Sequence, residues 1–209
     1  MSIEYRQAMT KKHKNIAAII PAAGASSRMG ELKPFLKFDE ERLFVEKIIE
    51  EYLEFACEKV VVVYRESESK WVSFMEKYSS NQRVIFVPNK HPELERFYSI
   101  KLGMGQLEKT DCCFLQNIDN PFIDINILEK LFSNVDDAEY LVPVYDTQGG
   151  HPILLNRIII ENIVNQSVDD MNLKELLGNY ERKNIEMEND LILRNINTKD
   201  DYIKYFGER

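Results

Sequence analysis

Short apolar runs alternate with segments of helical periodicity through the first two-thirds of the chain, and this alternation restricts the fold most strongly. Runs rich in β-branched or apolar residues predict strands at 15–22, 58–64, 83–88 and 111–117. Apolar residues at helical spacing predict helices at 43–57, from near Ser67, at 92–107 and at 125–132. Because strands separated by helices join through right-handed crossovers, we predict a three-layer, Rossmann-like α/β domain. Its sheet is expected to be mixed but mainly parallel, with helices on both faces.

The last third of the chain is less regular and is expected to extend the same domain. Two runs, at 139–145 and 151–156, predict strands on either side of a turn. The remaining predicted elements are helices at 157–166 and 171–177, a last strand at 191–197 and a helix at 198–206. No internal repeat or linker interrupts the pattern. We therefore expect one domain over residues 15–209, preceded by a flexible tail at 1–14.

Composition and charge exclude several classes of protein. The formal net charge is -8, which argues against a protein that grips nucleic acid through a basic surface. No apolar run approaches the roughly 20 residues that a membrane span needs, and the N-terminus lacks the apolar core of a secretory signal. Cys57, Cys112 and Cys113 have no metal-binding spacing and are expected to be buried and reduced. These features predict a cytoplasmic protein without a nucleic-acid or membrane partner.

The loop after the first predicted strand combines small residues with two cations. Ala23 and Gly24 leave the backbone N–H groups open to an anion, and glycine permits unusual dihedral angles. Arg28 offers a planar fork for phosphate oxygens and Lys33 a compact charge, a pair that suits a polyphosphate. Pro34 is expected to keep Lys33 in an extended backbone. The alternative is a flexible turn in which both cations are simply solvated.

A second polar loop, at residues 116–122, follows the fourth predicted strand. Ligands of open α/β sheets bind beyond the carboxyl ends of the parallel strands. Because both loops follow such strands, we expect them to line one crevice.

The segment at 22–36, AAGASSRMGELKPFL, closely resembles the glycine-rich motif of the MobA-like nucleotidyltransferases, a family that includes molybdenum-cofactor cytidylyltransferases and guanylyltransferases. The matching residues of that motif are Ala22, Ala23, Gly24, Ser26, Arg28, Met29, Gly30, Lys33 and Leu36. The resemblance continues at Asn89, Ser99, Ile100, Gly103, Asp119, Pro121, Gly150, His151, Pro152, Asn195, Asn197, Thr198 and Asp201. It therefore covers nearly the whole chain.

The resemblance implies an enzyme that transfers a nucleoside monophosphate to a phosphate-bearing acceptor and releases pyrophosphate. Arg28 and Lys33 would hold the β- and γ-phosphates, and Asp119 would bind a Mg²⁺ cofactor that bridges phosphate oxygens. The alternative for Asp119 is a residue that caps the turn before Pro121. Asn197 is either a second metal ligand or a hydrogen-bonded turn residue before the last helix.

The resemblance also implies which residues contact the nucleotide and the acceptor. The nucleotide would contact Ala22, Ala23, Gly24, Ser26, Arg28, Lys33 and Ser99. Ser99 is otherwise a helix-surface serine, and His151 either contacts the acceptor or packs against Pro152. The Ala-Ala-Gly form of the loop, in which the methyl group of Ala23 narrows the space over the base, favours CTP over GTP.

Because of several departures from the family pattern, the sequence does not identify the acceptor. Pro21 stands at a usual leucine, and we expect the first strand to end or bend there. Glu95 replaces a usual glycine before Ser99, and Ile118 often has a glycine in its place. The acceptor is expected to be a phosphorylated small molecule such as molybdopterin. The alternatives are a sugar- or alditol-phosphate nucleotidyltransferase and a nucleotide-binding protein that has lost its chemistry.

Overall fold

A computed structural model describes residues 14–25 and 29–207. The strands are β1 (Ile16–Ala22), β2 (Lys59–Arg65), β3 (Val84–Asn89), β4 (Cys112–Leu115), β5 (Tyr140–Tyr145), β6 (Gln148–Gly149), β7 (Ile153–Asn156) and β8 (Arg182–Glu186). The α-helices are α1 (Phe44–Glu54), α2 (Lys70–Glu76), α3 (Glu95–Met104), α4 (Ile125–Phe132), α5 (Arg157–Val164), α6 (Leu173–Leu177) and α7 (Lys199–Phe206). Short 3₁₀ helices cover Lys33–Phe35, Pro92–Leu94 and Leu191–Leu193.

The strands form one mixed sheet in the order β3-β2-β1-β4-β7-β5-β6, and β8 pairs with β5. Strands β1 to β4 run parallel to one another, whereas β7 runs antiparallel to both β4 and β5. The carboxyl ends of β1 to β4 therefore meet at one edge of the sheet. This arrangement confirms the predicted mainly parallel, mixed sheet.

Two layers of helices cover the sheet because side chains of a strand alternate between its faces. Ala18 and Ile20 of β1 pack in a core with residues of α1, α2 and α4. Ala17 and Ile19 point the other way and pack with α3, α5 and α6. Burying an isoleucine contributes about 1.5–3 kcal/mol, so a one-residue shift of β1 would exchange two well-packed faces at high cost. The three-layer prediction is confirmed.

Of the predicted end or bend at Pro21, the end was wrong, because β1 does not stop there. The strand continues to Ala22 in parallel register with β2, where Pro21 lies opposite Val63. Strand β4 pairs with β1 only as far as Ile19, opposite Leu115. Because β1 has no β4 neighbour beyond that point, the missing N–H of Pro21 removes no hydrogen bond to β4.

The prediction of a last strand at 191–197 was also wrong, because no strand forms there. The first residues of this segment form a 3₁₀ turn in which Leu193 N–H donates to Asp190 O at 2.8 Å. Ile192 in this turn and Ile196 beyond it are both buried, so the apolar run is explained by the burial of separate side chains rather than by strand pairing. The last strand is instead β8, which pairs in parallel with β5 and which its polar sequence does not reveal.

Two further expectations have an outcome in the fold. Cys57, Cys112 and Cys113 are buried and unbridged, as predicted. Helix α2 begins at Lys70, three residues after the predicted start near Ser67. In the part of the chain that the structure describes, no helix is long and apolar enough to cross a membrane.

Candidate active site

A cleft of about 520 Å³ lies at the carboxyl ends of β1 to β4. Both polar loops of the sequence contribute to it, with residues 21–25 on one side and Asn117, Ile118 and Asp119 on the other. The crevice predicted from the strand order is therefore present.

The glycine-rich loop enters the cleft directly from β1. Ala22 and Ala23 are buried, and a side chain added at Gly24 would meet no atom within 4 Å. Gly30 has a φ of +72°, a conformation that favours glycine. Ser26 and Arg28 lie outside the described residues, so their phosphate-binding roles stay predictions.

Arg65 adds a cation to the cleft that sequence reasoning missed. It is the last residue of β2, and its Nε donates to Ala23 O at 3.1 Å. This bond holds the glycine-rich loop from the neighbouring strand. The available signal was its position, because a cation at the carboxyl end of a parallel strand faces the ligand-binding edge.

Lys33 joins the two sides of the cleft. It begins the 3₁₀ helix Lys33–Phe35, so the expectation that Pro34 keeps it extended was wrong. Proline fits near a helix start because the first N–H groups have no partner within the helix. Lys33 Nζ donates to Asn197 Oδ1 at 2.7 Å and lies 3.4 Å from Asp119 Oδ2. Three predicted site residues, far apart in sequence, therefore meet.

Asp119 presents an oxygen that suits a cation. Its Oδ1 atom is buried and accepts no hydrogen bond from the described residues, an arrangement that costs roughly 1–3 kcal/mol when left uncompensated. Asn197 Oδ1 accepts a hydrogen bond from Lys33, which also contacts Asp119. Oxygen ligands of this kind are the ones that Mg²⁺ prefers. Within the described residues, no cluster of three or more His, Cys, Asp or Glu could hold a metal. The site therefore fits a divalent ion that takes its other ligands from water and substrate.

Buried amides hold the loop that carries Asp119. Gln116 is fully buried, accepts a hydrogen bond from Tyr52 and donates to Asn117 O and Asn120 O at 2.9 and 2.8 Å. Asn120 in turn donates to Ile192 O at 2.8 Å. Burying such amides is favourable only when they are paired, so each bond fixes the loop further. Sequence reasoning missed these two positioning residues, although both lie within the loop it selected.

Asn197 is a turn residue that also faces the site. Its backbone N–H and that of Thr198 both donate to Asp201 Oδ2, at 2.9 and 2.8 Å. These bonds cap α7 and, with the Thr198 hydroxyl, lower the pKa of Asp201. Because only the backbone N–H of Asn197 takes part in this cap, its side chain can accept the hydrogen bond from Lys33. A metal-binding role for Asn197 stays a prediction.

Ser99 lines the cleft but already has a partner. Its Oγ accepts a hydrogen bond from Asn89 Nδ2 at 2.9 Å, and Asn89 Oδ1 accepts one from His91 N–H at 2.7 Å. Both Ser99 and Asn89 are buried. The pair ties the end of β3 to α3, and the predicted contact of Ser99 with a nucleotide remains a prediction.

His151 lies in a second cavity of about 820 Å³ that adjoins the first. Glu95 and Arg96 line both cavities, and the other walls of the second combine apolar with polar and charged side chains. Burial and the nearby Arg96 charge lower the pKa of His151 from 6.5 to about 4, so its ring is neutral at pH 7. A side chain at Gly150 would come within 2.3 Å of Ile192 O, which explains the glycine before this histidine.

The junction of the cavities has an unusual backbone. Glu95 has φ 58° and ψ -152°, a combination that is almost restricted to glycine and costs a residue with a side chain about 1–3 kcal/mol. The glycine that the family pattern usually has at this position would adopt the same turn without strain. Glu95 is therefore a real departure with a structural consequence.

These features define a class: an α/β protein whose glycine-rich loop, lysine and half-buried strand-end carboxylate face one ligand cleft. Residues 18–184 match the MobA-like NTP transferase domain, and the chain belongs to that family. The chain is 31% identical over 191 residues to the molybdenum cofactor cytidylyltransferase of Escherichia coli strain K12, with 90% of this chain and 94% of that protein covered.

Solved structures show the same fold at lower identity. Rv0371c from Mycobacterium tuberculosis H37Rv superimposes with a TM-score of 0.76 at 18% identity, covering 94% of this chain and all of the other. A second structure of that protein is a complex with manganese. The 4-diphosphocytidyl-2C-methyl-D-erythritol synthase of Anaerococcus prevotii superimposes with a TM-score of 0.70 at 16% identity, covering 94% and 96% of the two chains.

Proposed function

We propose that this chain is a nucleotidyltransferase that transfers cytidine monophosphate from CTP to a phosphate-bearing acceptor and releases pyrophosphate. The observation that carries the proposal is the convergence of Lys33, Asp119 and Asn197 beside the glycine-rich loop. A cation, a carboxylate with an unpaired oxygen and open backbone N–H groups suit a nucleoside triphosphate with its metal ion. The 31% identical relative is named as a cytidylyltransferase, which supports the same reaction class.

The chain's part in catalysis is mainly to hold two anions together. Lys33 and Arg28 bind the β- and γ-phosphates and neutralise the charge that moves onto pyrophosphate as it leaves. The backbone N–H groups of residues 22–25 also bind phosphate oxygens. Positioning the acceptor oxygen in line with the α-phosphorus supplies much of the remaining acceleration.

Asp119 would hold a Mg²⁺ ion, with the Asn197 amide oxygen as a weaker second donor. When bound, the ion acts as a Lewis acid on the phosphate oxygens. The proposal is supported by the buried, unpaired Oδ1 atom of Asp119 and by the manganese complex of the related fold. One protein carboxylate is common in magnesium sites, where water and substrate phosphates complete the coordination.

Ala23 supports CTP rather than GTP. It is buried at the start of the loop, and its methyl group lines the cleft where the base would enter. A methyl group there leaves less room for a purine than a glycine would.

The second cavity supports a bulky acceptor that carries both apolar and hydrogen-bonding groups. Its walls combine apolar side chains such as Phe97 with charged ones such as Lys174 and Arg182, and its volume of about 820 Å³ exceeds that of the first cleft. A molybdopterin-type acceptor, with a ring system and a terminal phosphate, matches these walls better than a small alditol phosphate does. His151 lies at the edge of this cavity, where it would contact the acceptor.

The test is pyrophosphate release with MgCTP or MgGTP and, in turn, molybdenum cofactor, a sugar phosphate and an alditol phosphate. We expect release with CTP and molybdenum cofactor at a kcat/KM at least tenfold above that with GTP. Lys33→Met, which removes one charge from the cleft, should slow turnover by about 10²-fold and serves as the inactive reference.

Two results would contradict the proposal. Tenfold tighter binding and faster turnover with GTP would overturn the choice of base. Nucleotide binding without release of pyrophosphate from the nucleotide, whichever acceptor is supplied, would identify a binding protein instead of an enzyme.

A further inference from the structure

One arginine lies where the two cavities meet. Arg96 lines both cavities and belongs to the first turn of α3. Its Nη2 donates to Asn117 Oδ1 at 2.5 Å and lies 3.4 Å from His151 Nε2. Asn117 lies two residues before Asp119, and His151 lies between β6 and β7. Three separate segments therefore hold one guanidinium at the junction.

The remaining donors of Arg96 are available to a ligand. Among residues 14–25 and 29–207, no carboxylate lies within ion-pair distance of its guanidinium, and its Nε and Nη1 donate no hydrogen bond. Desolvation lowers the pKa of Arg96 while the charge of Asp119 raises it, and a guanidinium stays protonated at neutral pH. A charged fork with open donors, in an otherwise acidic protein, is suited to bind a phosphate in two-point geometry.

The ring of His151 completes the support. Neutral imidazole can accept a hydrogen bond at Nε2, which is the atom that faces Arg96. Asn117 supplies the second acceptor and links the guanidinium to the loop of Asp119. Besides the acceptor contact proposed for His151, this residue and Asn117 fix the fork without neutralising it.

We propose that Arg96 binds the phosphate of the acceptor and makes this chain selective for acceptors that end in a phosphate monoester. The inference rests on the proposed function, because the acceptor phosphate must lie beside the nucleotide. In the transfer, an oxygen lone pair of that phosphate forms the bond to the α-phosphorus. The bond from the α-phosphorus to the bridging oxygen breaks, and pyrophosphate keeps its electron pair. Arg96 screens the repulsion between the two anions as they approach.

The test separates phosphate binding from nucleotide binding. Inorganic phosphate is titrated by ³¹P line broadening against protein saturated with Mg²⁺ and α,β-methylene-CTP, for wild type, Arg96→Gln and Arg96→Lys. We expect Arg96→Gln to raise the Kd for phosphate at least tenfold while the Kd for the nucleotide analogue changes less than twofold. Arg96→Lys should fall between them, because it keeps the charge but loses the fork.

Arg157→Gln is the matched control, since it removes an exposed arginine at the start of α5 and should leave both affinities unchanged. An unchanged phosphate Kd in Arg96→Gln, or an equal loss of nucleotide and phosphate affinity, would overturn the assignment. The titration is repeated without nucleotide, so phosphate binding through Arg96 is measured even if wild type fails to bind CTP. That failure would count against the proposed function alone.

Discussion

The two sides of the cleft are built differently. On the nucleotide side, residues of the family pattern meet through direct contacts, with Lys33 2.7 Å from Asn197 and 3.4 Å from Asp119. On the acceptor side, Glu95 holds a strained backbone and Arg96 adds a charge at the junction. Polyphosphate binding requires a fixed set of charges, whereas an acceptor site must fit one particular molecule. Glu95, a departure from the family pattern, and Arg96 therefore lie where we propose that the acceptor binds.

The largest expected effect tests the nucleotide side. Asp119→Asn keeps the shape of the side chain but removes the charge beside Lys33, and we expect turnover to fall by at least 10²-fold. Mn²⁺ binding, followed by electron paramagnetic resonance, should weaken in parallel. Asp200→Asn removes an exposed carboxylate from α7 and serves as the control. Full activity in Asp119→Asn would remove the carboxylate from the mechanism.

The next effect concerns pH and the acceptor side. His151 binds a proton in the unfolded chain near pH 6.5 but in the folded protein only near pH 4. The unfolded state therefore binds more protons between these values, and stability falls as the pH is lowered through this window. From pH 7 to pH 5, wild type should lose about 2 kcal/mol more than His151→Gln in urea unfolding. Equal losses would show that the ring is not protected from protonation.

A smaller effect asks whether the metal side can be strengthened. Asn197→Asp gives Lys33 a second carboxylate neighbour in addition to Asp119. We expect Mn²⁺ to bind about fivefold more tightly, because a carboxylate is a stronger ligand than an amide. Asn195→Asp makes the same charge change two residues earlier at an exposed position and is the control. An equal gain in Mn²⁺ affinity from both variants would mean that the added negative charge acts at a distance and that residue 197 is not a metal ligand.

The smallest effect tests the strain at the junction. Glu95→Gly should stabilise the fold by about 1 kcal/mol in urea unfolding, because the relieved strain outweighs the entropy that glycine adds to the unfolded chain. Glu93→Gly, at a negative φ two residues earlier, should destabilise it slightly. Loss of stability in Glu95→Gly would mean that contacts of the Glu95 side chain compensate for its backbone.

Much of this arrangement could be predicted from sequence because its signals are local. The β-branched run of β2 predicts a strand and the apolar spacing of α1 predicts a helix, each without reference to distant residues. Two loops that follow parallel strands predict a shared cleft. Strand β8 could not be found, since its polar residues become a strand only through pairing with β5. Arg65 and Arg96 were missed for a similar reason. Their importance comes from neighbours that are distant in sequence.

The backbone bond from Ile196 N–H to Asp119 O, 2.7 Å long, has a consequence for biosynthesis. Strands β1 to β4 leave the ribosome long before residue 196, so a nascent chain can align its parallel strands while the loop that carries Asp119 still lacks this bond. Competence to capture a triphosphate would then arise late, as a separate event from the first sheet formation. In a stalled chain that ends before residue 190, strands β1 to β4 should resist proteolysis. The same chain should bind no nucleotide in a filter-binding assay.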